Sequence, residues 1–200
     1  MEEQSPFLVA HKFAFKVPTV LEIGTGSGII TTFIAVNDIL GQKAVFFTTD
    51  LNPFACQCVK ETVAHNQSQS VTLDPIQTNL ASSLRDHQVD ILVFNPPYVP
   101  AEEVPAVPCQ TQASNESTED DWLDLALLGG HQGMVVTNVL LDQLHNVLSA
   151  NGIAYILFCA SNVPEEVVVR PDLTARFDIS LMEKRKCGWE VLSVYRFVKK

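Results

Sequence analysis

The chain has 200 residues, 46% of them hydrophobic and 18% charged, and a formal net charge of −10. That size and composition suit one soluble domain with a real core, and no apolar stretch approaches the length of a membrane span. The acidic balance argues against a protein that holds naked nucleic acid over a wide surface, because phosphate binding depends on clustered Lys and Arg.

Residues 1–18 read as an N-terminal segment. Its start, Met1-Glu2-Glu3-Gln4, lacks the basic residues of a signal peptide, and a cytoplasmic address is expected. From Thr19 onward strand-like and helix-like segments alternate, the pattern of a parallel sheet with crossover helices. Thr19 to Ile23 reads as the first strand, with a helix from Ile29 to about Leu40. Ala44 to Thr49 reads as the second strand and ends in Asp50; Asn52 then caps a helix whose first residue is Pro53 and which runs to about His65. Val71 to Gln77 and Val89 to Phe94 read as the third and fourth strands. After Asn95 the pattern breaks at Pro100, Pro105 and Pro108. Residues 100–121 are expected to form a long polar loop, of which Gln110 to Asp121 is the acidic part, a solvated linker. A helical pattern from Gly133 to about Leu148 follows, Asn151-Gly152 turns the chain, and Ile153 to Cys159 is a near-continuous apolar fifth strand. Phe177 to Glu183 and Glu190 to Val198 close the chain as a hairpin about Lys186-Cys187-Gly188-Trp189. Residues 1–200 are thus expected to be a single domain.

Five cysteines, Cys56, Cys58, Cys109, Cys159 and Cys187, contain no C-x-x-C pair, and their odd number fits reduced thiols. Five histidines have no ligand spacing to one another, so no metal site is expected.

Two strand ends carry chemistry. Glu22-Ile23-Gly24-Thr25-Gly26-Ser27-Gly28 joins the first strand to its helix, and its glycines let backbone pass close to a ligand in a tight strand-to-helix turn. Asp50, at the end of the next strand, is placed to bind a ribose diol. The spacing is G-x-G-x-G, without the lysine of a phosphate-binding loop, so a nucleoside cofactor other than a dinucleotide or ATP is implied. Asn79, after the third strand, can accept a bond from an adenine amine, although an Asn in a turn needs no ligand to explain it. The second strand end is Asn95-Pro96-Pro97-Tyr98. Two prolines forbid continuation of the strand, and they leave an amide side chain, an unclaimed carbonyl and an aromatic ring at a carboxyl edge. The Asn95 oxygen and the Pro96 carbonyl can each accept one hydrogen of a planar NH2 group while Tyr98 covers its face.

Glu22 to Gly28, Asp50 and Asn95 to Tyr98, in this order and spacing, resemble the S-adenosylmethionine-dependent methyltransferases that modify planar amino groups. With Pro100, the stretch Trp122 to Gly130 and the ending Gly188 to Tyr195, the chain is similar to the eukaryotic branch of the HemK-type glutamine methyltransferases. The resemblance implies an α/β, Rossmann-like class I methyltransferase fold: a seven-stranded, mostly parallel sheet of order 3-2-1-4-5-7-6 with helices on both faces. It implies methylation of the glutamine amide in the Gly-Gly-Gln loop of the class 1 translation release factor. It also implies a small zinc-binding activator subunit as partner. By the same resemblance Glu22, Gly24, Gly26, Gly28, Asp50, Leu51, Asn79, Leu80 and Asn95 contact the cofactor, and Asn95, Pro96, Pro97 and Tyr98 form the substrate motif.

Two departures stand out. The family usually has Asp where this chain has Asn79, which leaves the adenine bond uncharged. Relatives also carry a Tyr-x-Pro-Ala-Glu-Asp stretch before the glycine turn, and Met1 to Pro18 contains nothing like it, so the expectation is either a truncated N-terminal segment or a more open cofactor pocket with reduced activity. The motif chemistry leaves other acceptors in view. An adenine N6 amine is also planar but would call for a basic surface, a lysine would first have to lose a proton, and a non-catalytic scaffold would keep the fold alone. The third strand, with Val71, Leu73 and Ile76, is the edge expected to pair with the activator.

Overall fold

The computed structural model describes residues 1–66, 71–108 and 119–200, with the backbone alone at residues 119–121. Seven strands, β1 (Thr19–Ile23), β2 (Val45–Asp50), β3 (Thr72–Gln77), β4 (Val89–Phe94), β5 (Leu148–Cys159), β6 (Phe177–Cys187) and β7 (Glu190–Lys199), form one sheet of order β3-β2-β1-β4-β5-β7-β6. The first five are parallel, and β7 runs antiparallel between β5 and β6. Both the class I methyltransferase order and the reversed last strand agree with the resemblance.

Residue alternation divides the core between the two faces of this sheet. Leu21, Ile23, Leu92, Phe94, Ile156 and Phe158 pack with the helix α5 (Val135–Val147). On the other face Val20, Ile91, Val93, Ile153 and Tyr155 meet α1 (Ser5–Ala10), through Leu8, and α2 (Ile29–Val36), through Ile34. The helix α3 (Pro53–His65) lies beside α2, with Asn52 accepting from the Phe54 amide at 2.9 Å as its cap. Every residue of β4 is buried, which explains its unbroken apolar reading apart from Asp90.

Asp90 is the exception that joins strands. Its carboxylate accepts from the Thr19 amide at 3.0 Å and from the Ser149 hydroxyl at 2.6 Å, tying the starts of β1 and β5 to β4. The N-terminal segment is likewise tied down across the sheet. Gln4 accepts from Arg196 at 3.0 Å, and the guanidinium of Arg196 sits 3.9 Å from the centroid of the Phe7 ring.

Several boundaries differ from the sequence reading. The helix after the glycine turn stops at Val36 and not near Leu40, because Asn37 closes it and Asp38 takes φ 48°; Ile39 and Leu40 are buried beyond its end. The fifth strand begins at Leu148, upstream of the expected Ile153, because Asn151-Gly152 forms an irregularity within the strand rather than a turn before it. The expected loop 100–121 is cut short: the chain is helical from Glu119 in α4 (Glu119–Leu127), anchored by the buried Trp122. Residues 109–118, with Cys109 and most of the acidic stretch, lie outside the described residues. Two short helices, α6 (Pro164–Val167) and α7 (Pro171–Thr174), fill the connection between β5 and β6. Among the described residues no helix is long and apolar enough to cross a membrane, and no group of three metal-ligating side chains comes together.

The Asp90→Ala variant is expected to lose about 2–4 kcal/mol of unfolding free energy, since it leaves a partly buried amide and a buried hydroxyl without their acceptor. Urea denaturation reads this directly, and a loss below about 0.5 kcal/mol would mean that the strands hold their register without the carboxylate.

Candidate active site

Strand register gathers the two motifs at one edge. Ile23 pairs with Thr49 on one side and with Phe94 on the other, so the residues that follow, Gly24, Asp50 and Asn95, leave three neighbouring strands together. Pairing of Asp50 with Gln77 adds the turn at Asn79 and Leu80. The carboxyl ends of parallel strands at a change in winding direction are where such sheets hold ligands.

The glycine turn is held by hydrogen bonds on both sides. Gly24 and Thr25 donate to the Thr49 carbonyl at 2.8 and 3.2 Å, and the Gly26 amide donates to Asp50 Oδ2 at 3.0 Å. Asp50 Oδ1 accepts from the Asn52 amide at 2.9 Å, so one carboxylate braces the turn and the start of α3. Gly26 and Gly24 have φ of 51° and 63°, and a Cβ on Gly26 would meet no atom within 4 Å, which leaves open space beside Asp50. A Cβ on Gly24 would come to 3.9 Å from the Asn95 carbonyl, so this glycine faces the second motif directly. Gly28 serves packing: with φ 73° it lies against Val59 of α3, where a side chain has no room.

Glu22 lies beneath this turn and is only 3% exposed. Its Oε2 accepts from the Thr25 hydroxyl at 3.0 Å and from the amide and hydroxyl of Thr31 in the first turn of α2. A helix's first turn has free amides and a positive dipole end, which suit a carboxylate. Burial nonetheless pushes the Glu22 carboxyl above its ordinary value, with the bonds from Thr31 and Thr25 opposing that rise and the Asp50 charge adding to it. Leu51 is half-buried, with its carbonyl accepting from Gln77 at 3.1 Å, and Thr78 donates to the Asp50 carbonyl at 2.9 Å. Asn79 is exposed, and Leu80 is buried with φ 50°.

At the second motif the prolines end β4 and the chain pairs elsewhere. Val99 donates to the Leu127 carbonyl and accepts from Gly129, both at 2.9 Å, and Ala101 donates to Gly130 at 2.9 Å. The carbonyls of Pro97 and Tyr98 press against Gly129 and Gly133, positions at which any Cβ would collide with them. Asn162, 3% exposed, closes the arrangement. Its amide donates to the Tyr98 carbonyl at 2.9 Å and to Gln132 at 2.8 Å, while its oxygen accepts from the Cys159 amide at 2.7 Å. The Tyr98 hydroxyl donates to Glu190 at 3.2 Å; burial, followed by the Glu190 charge, raises the phenol above its ordinary value and keeps it a donor. Pro96 is buried, whereas the Asn95 side chain is exposed, and among the described residues none donates to the Asn95 amide oxygen or to the Pro96 carbonyl.

Gly24, Gly26, Asp50, Leu51, Asn79, Leu80 and Asn95 to Tyr98 follow neighbouring strand ends at this edge, whereas Glu22 is buried beneath it and Gly28 packs behind it against Val59. Thr25, Thr31, Gly133, Asn162 and Glu190 enter the site without having been singled out in the sequence. Asn162 had no local signal, since its partners lie 64, 30 and 3 residues away. The Gly129-Gly130 pair is visible in the sequence, but not that Gly129 makes room for the Pro97 carbonyl while Gly130 lies against the Val135 and Val104 side chains.

Comparison with known proteins gives a consistent picture. A family model described as the methyltransferase small domain matches residues 3–110. The chain is 32% identical to "Methyltransferase HEMK2" of Homo sapiens over 186 residues, covering 92% of this chain and 78% of that protein. It is 33% identical to the "eRF1 methyltransferase catalytic subunit mtq2" of Schizosaccharomyces pombe over 184 residues, covering 88% and 73%. In fold it resembles the E. cuniculi protein solved as an "Mtq2-Trm112 complex", with a TM-score of 0.61 and 22% identity over the whole of both chains.

Two outcomes follow from the geometry. Removing the clamp in Asn162→Ala is expected to lower unfolding free energy by about 2–4 kcal/mol, because two carbonyls and one amide lose buried partners; an unchanged urea midpoint would dismiss it as a clamp. For Glu22 the native state holds its proton to higher pH than the unfolded chain, so the stability from that proton is complete below 4.5 and is lost as pH rises through the raised native value. The stability of the wild type relative to Glu22→Gln should therefore fall as pH is raised above 4.5 and then level off. A difference that rises instead would mean that the bonds from Thr25 and Thr31 outweigh burial.

Proposed function

The chain belongs to the methyltransferase small-domain family, and from that premise we propose that it methylates the side-chain amide of a protein glutamine, in the Gly-Gly-Gln motif of the class 1 translation release factor. The observation that carries this reading is the pair of acceptors at Asn95 and Pro96 to which none of the described residues donates, set beside Gly24 and the open edge of the glycine turn. The names of the similar human and fission-yeast proteins support it.

S-adenosylmethionine is the methyl donor in this reading, and the residues present fit it. The turn from Glu22 to Gly28 holds no Lys or Arg that would favour phosphate, while the Asp50 carboxylate borders the open space beside Gly26. Asp50 would hold the ribose diol and Asn79, Leu80 and Leu51 the adenine side; Gly24 and Gly26 would leave room for the remainder, and Glu22 would hold the turn in shape. When bound, the cofactor supplies an electrophilic sulfonium methyl group.

An amide nitrogen is a weak nucleophile because its lone pair is delocalised into the carbonyl. Asn95 Oδ1 and the Pro96 carbonyl would each accept one of its hydrogens, aligning the nitrogen and stabilising the positive charge that develops on it. Tyr98, fixed through Glu190, would cover the amide plane. The cofactor would supply the methyl group, its sulfur keeping the bonding pair, and the surplus amide proton held at these acceptors would leave to water; no side-chain base is invoked. Asn95 is no base for an ammonium, which disfavours lysine as the acceptor.

The 200 residues would act as one domain in the cytoplasm, paired with a small zinc-binding activator subunit along β3. Strand β3 is an edge strand in which Leu73 and Ile76 are half-buried, and its Pro75 suits an edge. The E. cuniculi structure contains a complex of Mtq2 with Trm112.

Purified chain and activator, given cofactor and release factor, should add one methyl group to the motif glutamine, located by mass spectrometry and absent from a Gln→Ala release factor. Asn95→Ala should lower kcat by about 10²–10³-fold with cofactor affinity largely kept; normal turnover in that variant would remove Asn95 from the reaction.

A further inference from the structure

Resting on the reading of a protein substrate, we propose that the β6–β7 hairpin tip, centred on Trp189, is the docking surface for the substrate protein beside its acceptor amide. Trp189 is 98% exposed, more than any other large apolar side chain among the described residues. An indole held fully in water is an unused contact of the kind that dominates protein interfaces: large, rigid and cheap to immobilise. The tip that presents it is itself well defined, because Cys187 pairs with Glu190 and Gly188 takes φ 64° between them.

Its place in the fold links it to the reaction site. The residue next to Trp189 is Glu190, whose carboxylate accepts the Tyr98 hydroxyl of the acceptor motif. From the same hairpin a cleft of about 540 Å3 runs across the sheet face to Asn95, floored by Tyr155, Leu192 and Val194 and walled by Phe33 and Cys187. A polypeptide whose side-chain amide reaches Asn95 must continue away from it; this cleft offers apolar surface that adjoins Asn95, and its Cys187 wall leads on to the tip. The cleft also carries Glu2, Glu3 and Glu183 against Arg185, which lies 3.8 Å from Glu183, in a chain of net charge −10. The occupant is therefore a substrate segment with an apolar residue for Trp189 and a Lys or Arg facing the acidic side, the latter also suited to the indole face.

Trp189→Ala should raise KM for intact release factor about tenfold and leave kcat within twofold, with cofactor affinity and the urea midpoint unchanged. Trp189→Phe should recover most of the loss. A short peptide carrying only Gly-Gly-Gln, too small to span from Asn95 to the tip, should show no change between wild type and variant. Binding is read separately from turnover by acrylamide quenching of tryptophan fluorescence. Trp122 is buried, so the quenchable emission belongs to Trp189, and saturating release factor should shield it. Shielding without methyl transfer would keep the docking surface and remove the release-factor glutamine as acceptor. Transfer with unaltered KM in Trp189→Ala, or with Trp189 still quenched, would overturn the docking surface and leave the acceptor standing. Concentration-dependent self-association abolished in Trp189→Ala, with KM unmoved, would assign the tip to a second copy of the chain and overturn the proposal equally.

Discussion

Two consecutive prolines at the end of β4 deny the sheet its next hydrogen bonds, and the site is built from what replaces them. Pro96 and Pro97 have no amide to donate, so the central strand must end with carbonyls turned to new partners. Those partners come from far along the chain: Gly129 and Gly133 make room for the Pro97 and Tyr98 carbonyls, and Asn162 bonds the second of them. Because Val99 and Ala101 then pair with the segment from Leu127 to Gly130, the motif is rigid although it lies outside the sheet. In the proposed reaction this fixed backbone would hold the Pro96 carbonyl and the base of Asn95 in place, and alignment of that kind favours polarising a weak nucleophile.

The opposite wall of the site is governed by two carboxylates with different surroundings. Glu22 is buried and held by two threonines at the first turn of α2, which makes it a strut for the glycine turn. Asp50 is half-exposed and bridges the Gly26 amide to the Asn52 amide, which makes it both a brace and a surface toward the open space. Asp50 makes the open side acidic and the turn from Glu22 to Gly28 holds no Lys or Arg, so a cationic group suits this wall better than a phosphate.

The hairpin that ends the chain joins binding to chemistry. Strand β7 reverses direction between β5 and β6, and this places Glu190 at the same edge as the carboxyl ends of the parallel strands. Tyr98 is thereby anchored by the last strand, and the exposed Trp189 stands one residue from that anchor. The N-terminal helix α1, tied through Gln4 and Phe7 to Arg196, covers part of the same sheet face and leaves the cleft to Asn95 open beside it.

Most of the fold was legible in the chain because its signals are local. Alternation and apolar runs marked the strands, Asn52-Pro53 marked the start of α3, and the family resemblance supplied the strand order. Boundaries were lost where burial overrode local pattern, as at Ile39 and Leu40 beyond α2 and at Asn151-Gly152 within β5. At the site, residue type and order alone determined which groups could do chemistry: an acidic residue after the second strand, a glycine turn after the first, and a strand stopped by two prolines after Asn95. Only the tertiary structure decided what holds them. Asn162, Glu190, Gly133 and Thr31 act through partners brought near by sheet register and helix packing, and such contacts leave no periodicity or spacing in the chain to be read.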